Sequence, residues 1–189
     1  MSLFVAVAVP EPARVAVRAA LPPVRSAAPH LRFTAEGSWH ITLAFLGRRI
    51  PEPRILRLAA LRAALAGVCT QQEVFEVALD GRAATFGQRV LWAAFEPCPP
   101  LSALATGALA ASAAVLAAAG VALEAPEAFN AHLTLARAPR RGPGVPRAAL
   151  EAYAGPMASW KVHDLQLLSS RGRAAGGRYT LEGQWPLGQ

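Results

Sequence analysis

The chain has 189 residues, 53% of them hydrophobic, and a formal net charge of +7. That length suits one sizeable domain with a real core. Two cysteines, Cys69 and Cys98, are too few for a disulfide framework or a zinc site, so a reducing cytoplasmic setting is expected.

The opening SLFVAVAV (2–9) reads as a buried β-strand: short, β-branched and aromatic, and ended by Pro10. No basic leader precedes it, so a strand is expected there rather than a secretion signal. PEPARVAVRAAL then predicts a helix with proline in its first turn. The next segment, PPVRSAAPHLRFTAEGS, reads as a loop with a short strand at LRFT, and WHITLAFLG (39–47) as a strand closed by Gly47. Within PEPRILRLAALRAALAGVC, Leu58, Leu61, Leu65 and Val68 recur at helical spacing. VFEVALDG and RVLWAAFEP are two further strands.

The run LSALATGALAASAAVLAAAGVAL (101–123) has membrane length. Its alanine, serine, glycine and threonine content, and the prolines before it in place of a basic flank, predict a buried Ala-rich helix, and no membrane partner is expected. HLTLARAP is another strand, PRRGPGVP (139–146) a connector, and RAALEAY a short helix. KVHDLQLLSS and RYTLEGQWPL form a last pair of strands joined by the basic RGRAAGG. Strict alternation of strand and helix is absent, so the fold class expected is α+β with antiparallel pairing.

Two stretches nearly repeat each other: WHITLAFLG, with His40 and Thr42, and AHLTLARAP (131–139), with His132 and Thr134. Side chains alternate along a strand, so His40 and Thr42 share one face while Ile41, Leu43 and Phe45 share the other. His132 and Thr134 are likewise opposed to Leu133 and Leu135. Each strand would hide an aliphatic face and present an imidazole beside a hydroxyl. An isolated pair of this kind is an ordinary strand with a surface histidine; two among four histidines call for a shared role. Facing imidazoles can act as general base and general acid, and neighbouring hydroxyls can hydrogen-bond the oxygens of a tetrahedral anion. Those are the parts that phosphoryl transfer needs. The charge agrees: all basic residues but Lys161 are arginine, a balance that favours polyanionic partners.

Other chemistries fit poorly. No His, Cys, Asp or Glu stands at ligand spacing near either motif, so no metal site is expected. GxSxG and the P-loop are both missing.

Through the two His-x-Thr motifs the chain resembles the two-histidine phosphoesterase superfamily. More narrowly it is similar to the bacterial and archaeal RNA 2′,3′-cyclic phosphodiesterases, historically called 2′-5′ RNA ligases. The likeness extends over LFVAVAVP, WHITLAFLG, FGQRVLW (86–92), FNAHLTLARAP and LLSSRGRAAGGRYTLEGQWPL. It implies one two-lobed, pseudo-twofold domain over 1–189, with two small antiparallel sheets backed by helices and the two histidine strands side by side in a central cleft. It also implies metal- and cofactor-free hydrolysis of RNA 2′,3′-cyclic phosphate ends to 2′-phosphates. By position, His40 and His132 would be the catalytic pair, with His40 taken as acid and His132 as base, and Thr42 and Thr134 would hold the phosphate. Arg137 matches an arginine of the family, but strict alternation points it away from the cleft unless the strand ends or bulges near Ala136. Ala131 departs from the proline usual before the second histidine.

The same site run backwards would be an ATP-independent 2′-5′ RNA ligase, and a fold emptied of chemistry would be an RNA-binding module. Both intact His-Thr pairs count against the module. His30 and His163, which lack the threonine, are read as structural or surface residues. Trp92, Trp160, Trp185 and Phe45 are assigned to the core. Arg171, Arg173 and Arg178 could rim the cleft or form a solvated loop. A monomer acting on RNA is expected.

Overall fold

A computed structural model describes residues 2–47, 58–121, 123, 128–170 and 179–189. Arg171, Arg173 and Arg178 lie outside the described residues, as does the 51–57 part of the second expected helical segment. Strand β1 (Ser2–Ala8) forms as the sequence requires, with Val5, Ala6 and Val7 fully buried. Helix α1 (Glu11–Ala19) follows, with a proline in its first turn where its missing N–H leaves no bond unmade. PPVRSA (22–27), expected as loop, is instead part of a second helix, α2 (Leu21–Ala27). Pro22 and Pro23 both fall in its first turn, so neither breaks it, and Leu21 and Val24 anchor it in the core.

Strand β2 (Arg32–Phe33) and a 3₁₀ turn (Glu36–Ser38) lead into β3 (His40–Gly47). Then come α3 (Leu58–Thr70), β4 (Phe75–Phe86), β5 (Val90–Phe95), α4 (Pro99–Ala118), β6 (His132–Arg137) and α5 (Arg147–Glu151). The chain ends with β7 (Ser159–Val162), β8 (Asp164–Ser170) and β9 (Tyr179–Pro186).

The fold is α+β, and its strands pair antiparallel in the order β7-β4-β5-β6-β3-β1-β8-β9, with β2 beside β6. The two small sheets expected from the sequence are the two wings of this one sheet. They meet where β3 lies beside β6, at the pair Ile41–Leu133. The expected strand KVHDLQLLSS divides at His163: β7 pairs with β4 in one wing, while β8 pairs with β1 in the other.

Aliphatic side chains from both wings feed one core. Ile41, Leu133, Leu135, Leu165 and Leu167 are wholly buried in it. Helix α4 packs against α3, β3 and β4. Rather than being buried all round, it buries a stripe through Leu101, Leu104, Ala105, Ala108, Ser112 and Leu116 and leaves much of its remaining surface exposed. It is long and apolar enough to cross a membrane by length and composition alone. That stripe, seated on the core, accounts for its apolarity as a packing helix.

Leu133 sits at the junction of the wings with no exposed surface. Leu133→Ala should therefore destabilise the protein by about 2–5 kcal/mol, read as a lowered urea midpoint with an unchanged slope. A loss below about 1 kcal/mol would show that the junction is not tightly packed.

Candidate active site

Both histidine strands carry the same irregularity. In β3, Ala44 pairs with Val5 and Thr42 with Ala6, so Leu43 is one residue too many for its partner. In β6, Ala136 pairs with Leu91 and Thr134 with Trp92, which makes Leu135 the extra residue. Such a bulge reverses the alternation beyond it. Leu43 and Ala44 are both buried, as are Leu135 and Ala136, and the next residue of each strand, Phe45 or Arg137, emerges on the side of the histidines. Arg137 thus meets the condition that its position demanded. Phe45, by contrast, is no core residue: it is 43% exposed and lines the cleft, because the bulge at Leu43 leaves no mark in the residue pattern.

The pair Ile41–Leu133 fixes the relation between the motifs. Continuing that register sets His40 opposite Thr134 and Thr42 opposite His132, with opposed Cβ atoms about 5 Å apart and the two histidines on a diagonal of roughly 7–8 Å. All four side chains line one cleft of about 580 Å³, together with Arg137 and Arg140.

The rings are held alike. His40 Nδ1 lies 2.8 Å from the carbonyl of Ser38, and His132 Nδ1 lies 2.8 Å from that of Asn130. A carbonyl can only accept, so each Nδ1 carries its proton, and in the neutral ring each Nε2 is left as a lone pair. The Thr42 hydroxyl donates to His40 Nε2 at 3.0 Å. Burial is the main influence holding both imidazoles below the ordinary value of 6.5, opposed by these carbonyl bonds. The Arg137 charge adds to the lowering at both, and the charge of His132 adds to it at His40.

Aromatic rings enclose the pair. Phe4 lies 4.9 Å from the His40 ring, and Tyr179 meets that ring edge-on at 5.0 Å. Phe86 meets His132 edge-on at 4.9 Å, and Trp92 stands 6.0 Å from it. Trp92 is buried as expected, but against Phe86 and His132 on the cleft side. Trp160 and Trp185 do pack on the main core. Sequence reasoning missed Phe4, Tyr179 and Phe86, whose only signal was an aromatic on a strand, and Thr34 and Arg140, which reach the cleft from loops.

His30 bonds the Gly144 carbonyl through Nε2 at 2.9 Å, tying the turn after α2 to the connector, and His163 is exposed at the break between β7 and β8. Both are structural or surface residues. Among the described residues no group of three or more His, Cys, Asp or Glu could hold a metal ion.

The model of the 2′-5′ RNA ligase superfamily matches residues 10–174. No curated protein matches the sequence. Among solved structures, TT0787 of Thermus thermophilus is 28% identical with a TM-score of 0.77, covering 100% of this chain and 98% of its own. Escherichia coli LigT complexed with phosphate is 25% identical with a TM-score of 0.66 over the same shares. Usb1 of Kluyveromyces marxianus, at 12% identity and a TM-score of 0.53, covers 98% of this chain and 97% of its own and shares the fold alone. With the family model spanning most of its length and both His-x-Thr motifs in one cleft, this chain belongs to the 2′-5′ RNA ligase superfamily of two-histidine phosphoesterases.

Proposed function

We propose that the protein hydrolyses RNA 2′,3′-cyclic phosphate ends to 2′-phosphates, with His40 and His132 as the proton-transferring pair. One observation carries this reading: both imidazoles, each beside a threonine hydroxyl, open into a single cleft with their Nδ1 atoms tied back to backbone carbonyls. Membership of a superfamily that acts on RNA supports the substrate class. That LigT has been solved in complex with phosphate supports a phosphate-bearing ligand.

In the proposed reaction water attacks phosphorus opposite O3′. One Nε2 takes the water proton, the P–O3′ bond breaks, and the other ring delivers its proton to O3′. The products are a 2′-phosphate monoester and a free 3′-hydroxyl, and proton exchange with solvent resets the rings. Thr42, Thr134 and Arg137 face the non-bridging oxygens, where negative charge concentrates in the transition state. His40 is assigned as the acid and His132 as the base. The free protein sets a condition on that assignment. Burial and the charge of His132 both disfavour a proton on His40, so the bound phosphate anion must draw it there. No other group is needed for the proton balance. The cytoplasm, where RNA ends are processed, is the proposed site of action.

An RNA ending in 2′,3′-cyclic phosphate, incubated with the protein in EDTA, should yield a 2′-phosphate end, read by chromatography against both phosphate isomers. Joined oligomers would instead mark ligation, and binding without turnover would mark a non-catalytic module. His40→Ala and His132→Ala should each lower turnover by about 10²–10⁴-fold while unfolding like the parent. A substrate with sulfur in place of O3′ leaves without a proton, so it should rescue His40→Ala more than His132→Ala; the reverse pattern would exchange the roles.

The pH dependence has a defined sign. Each imidazole titrates below 6.5 in the free protein, so the acidic limb of kcat/KM should fall below that value. Removing a nearby cation makes an imidazolium less unfavourable. In Arg137→Gln both histidine titrations, followed by NMR, should therefore move upward. No movement would mean that Arg137 does not act on the rings.

A further inference from the structure

A second groove of about 670 Å³ adjoins the cleft and shares Thr34, Ser38, Arg137, Arg140 and Tyr179 with it. Its distinctive feature is cationic crowding. Arg32 of β2 and Arg137 of β6 are paired directly across the strands, and like charges in that position repel. Arg140 joins them in the same groove, and all three are exposed. No carboxylate pairs with any of the three among the described residues. Arg89 has a different task. Its guanidinium donates to the carbonyls of Pro139, Arg140 and Gly142, and so holds the connector that carries Arg140 against the groove.

Three guanidinium groups, crowded together without carboxylate partners, form a site that a polyanion would relieve. The chemistry of the end fixes where that anion comes from. A cyclic phosphate occupies O2′ and O3′ of the terminal ribose, so the chain can continue only through O5′. Resting on the phosphodiesterase reading above, we propose that the groove seats the nucleotide 5′ to the cyclic end. Arg32 and Arg140 bind the linking phosphate, and Arg137 stays with the scissile one. The substrate is then an RNA chain of at least two nucleotides rather than a free cyclic mononucleotide.

The test compares kcat/KM for adenosine 2′,3′-cyclic phosphate, for the dinucleotide ApA ending in 2′,3′-cyclic phosphate, and for the same dinucleotide with an uncharged methylphosphonate link. The charged dinucleotide should be preferred over the mononucleotide by about tenfold or more, the effect of one charge-assisted contact. The methylphosphonate should lose most of that preference, and Arg32→Gln should shrink the dinucleotide-to-mononucleotide ratio toward one. Equal use of mononucleotide and charged dinucleotide, or an unchanged ratio in Arg32→Gln, would overturn the proposal. If no cyclic substrate is hydrolysed, the phosphodiesterase reading fails separately. The groove is then judged by binding of ApA 2′-phosphate against adenosine 2′-phosphate. Tighter binding of the dinucleotide that Arg32→Gln abolishes would uphold it, and equal affinities would overturn it.

Discussion

The contact of β3 with β6 at Ile41 and Leu133 governs the site. Past Leu135 the edge of β6 is taken by β2 instead: Phe33 pairs with Ala136, and Thr34 donates its N–H to the Leu135 carbonyl. The two histidine strands therefore diverge from a shared centre, and that centre contains the His-x-Thr segments. An antiparallel overlap of two identical short motifs produces a local twofold relation without further design, because each imidazole then faces the other strand's threonine. The buried Ile41 and Leu133 side chains hold the register from below, since a slip of one residue would send the histidine and threonine of the slipped strand into the core.

The paired bulges extend this symmetry and break it chemically. Leu43 and Leu135 displace their strands in the same way, yet the side chain brought into the cleft is a phenyl ring in one motif and a guanidinium in the other. One flank can cover an apolar group and the other can neutralise an anion. Rings on both imidazoles reinforce the effect of the cleft walls: they remove water from the histidines, which is the main reason both are disposed to be neutral. A phosphate entering there meets the Arg137 charge at the exposed end of β6, on the same side of the sheet as the histidines.

Much of this was legible in the sequence. The two motifs carry chemistry in their residue types and face in their spacing, so His40, Thr42, His132 and Thr134 could be placed together before any coordinates. The conditional placing of Arg137 was sound for the same reason: alternation set a definite direction, and only a bulge could reverse it. What failed to show was whatever depends on partners distant in sequence. Leu43 looks like any strand leucine, and only its pairing with β1 reveals it as the extra residue that turns Phe45 outward. The helix at Leu21–Ala27 was hidden by two prolines, which read as breakers unless the chain is known to start a helix at that point. Tyr179 and Phe86 are ordinary strand aromatics until the sheet order brings them to the histidines.

The break at His163 has a consequence for how the molecule is made. Strand β1 lies between β3 and β8, and β8 is reached only after the chain has completed the far wing with β7. On a ribosome, one side of the first strand must therefore wait, unpaired, while more than half of the polypeptide emerges. An apolar strand with an open hydrogen-bonding edge is a template for pairing with other chains. Nascent chains stalled before Asp164 should thus be the sticky ones, and closure of that edge, more than growth of either half, is the event that ends their exposure.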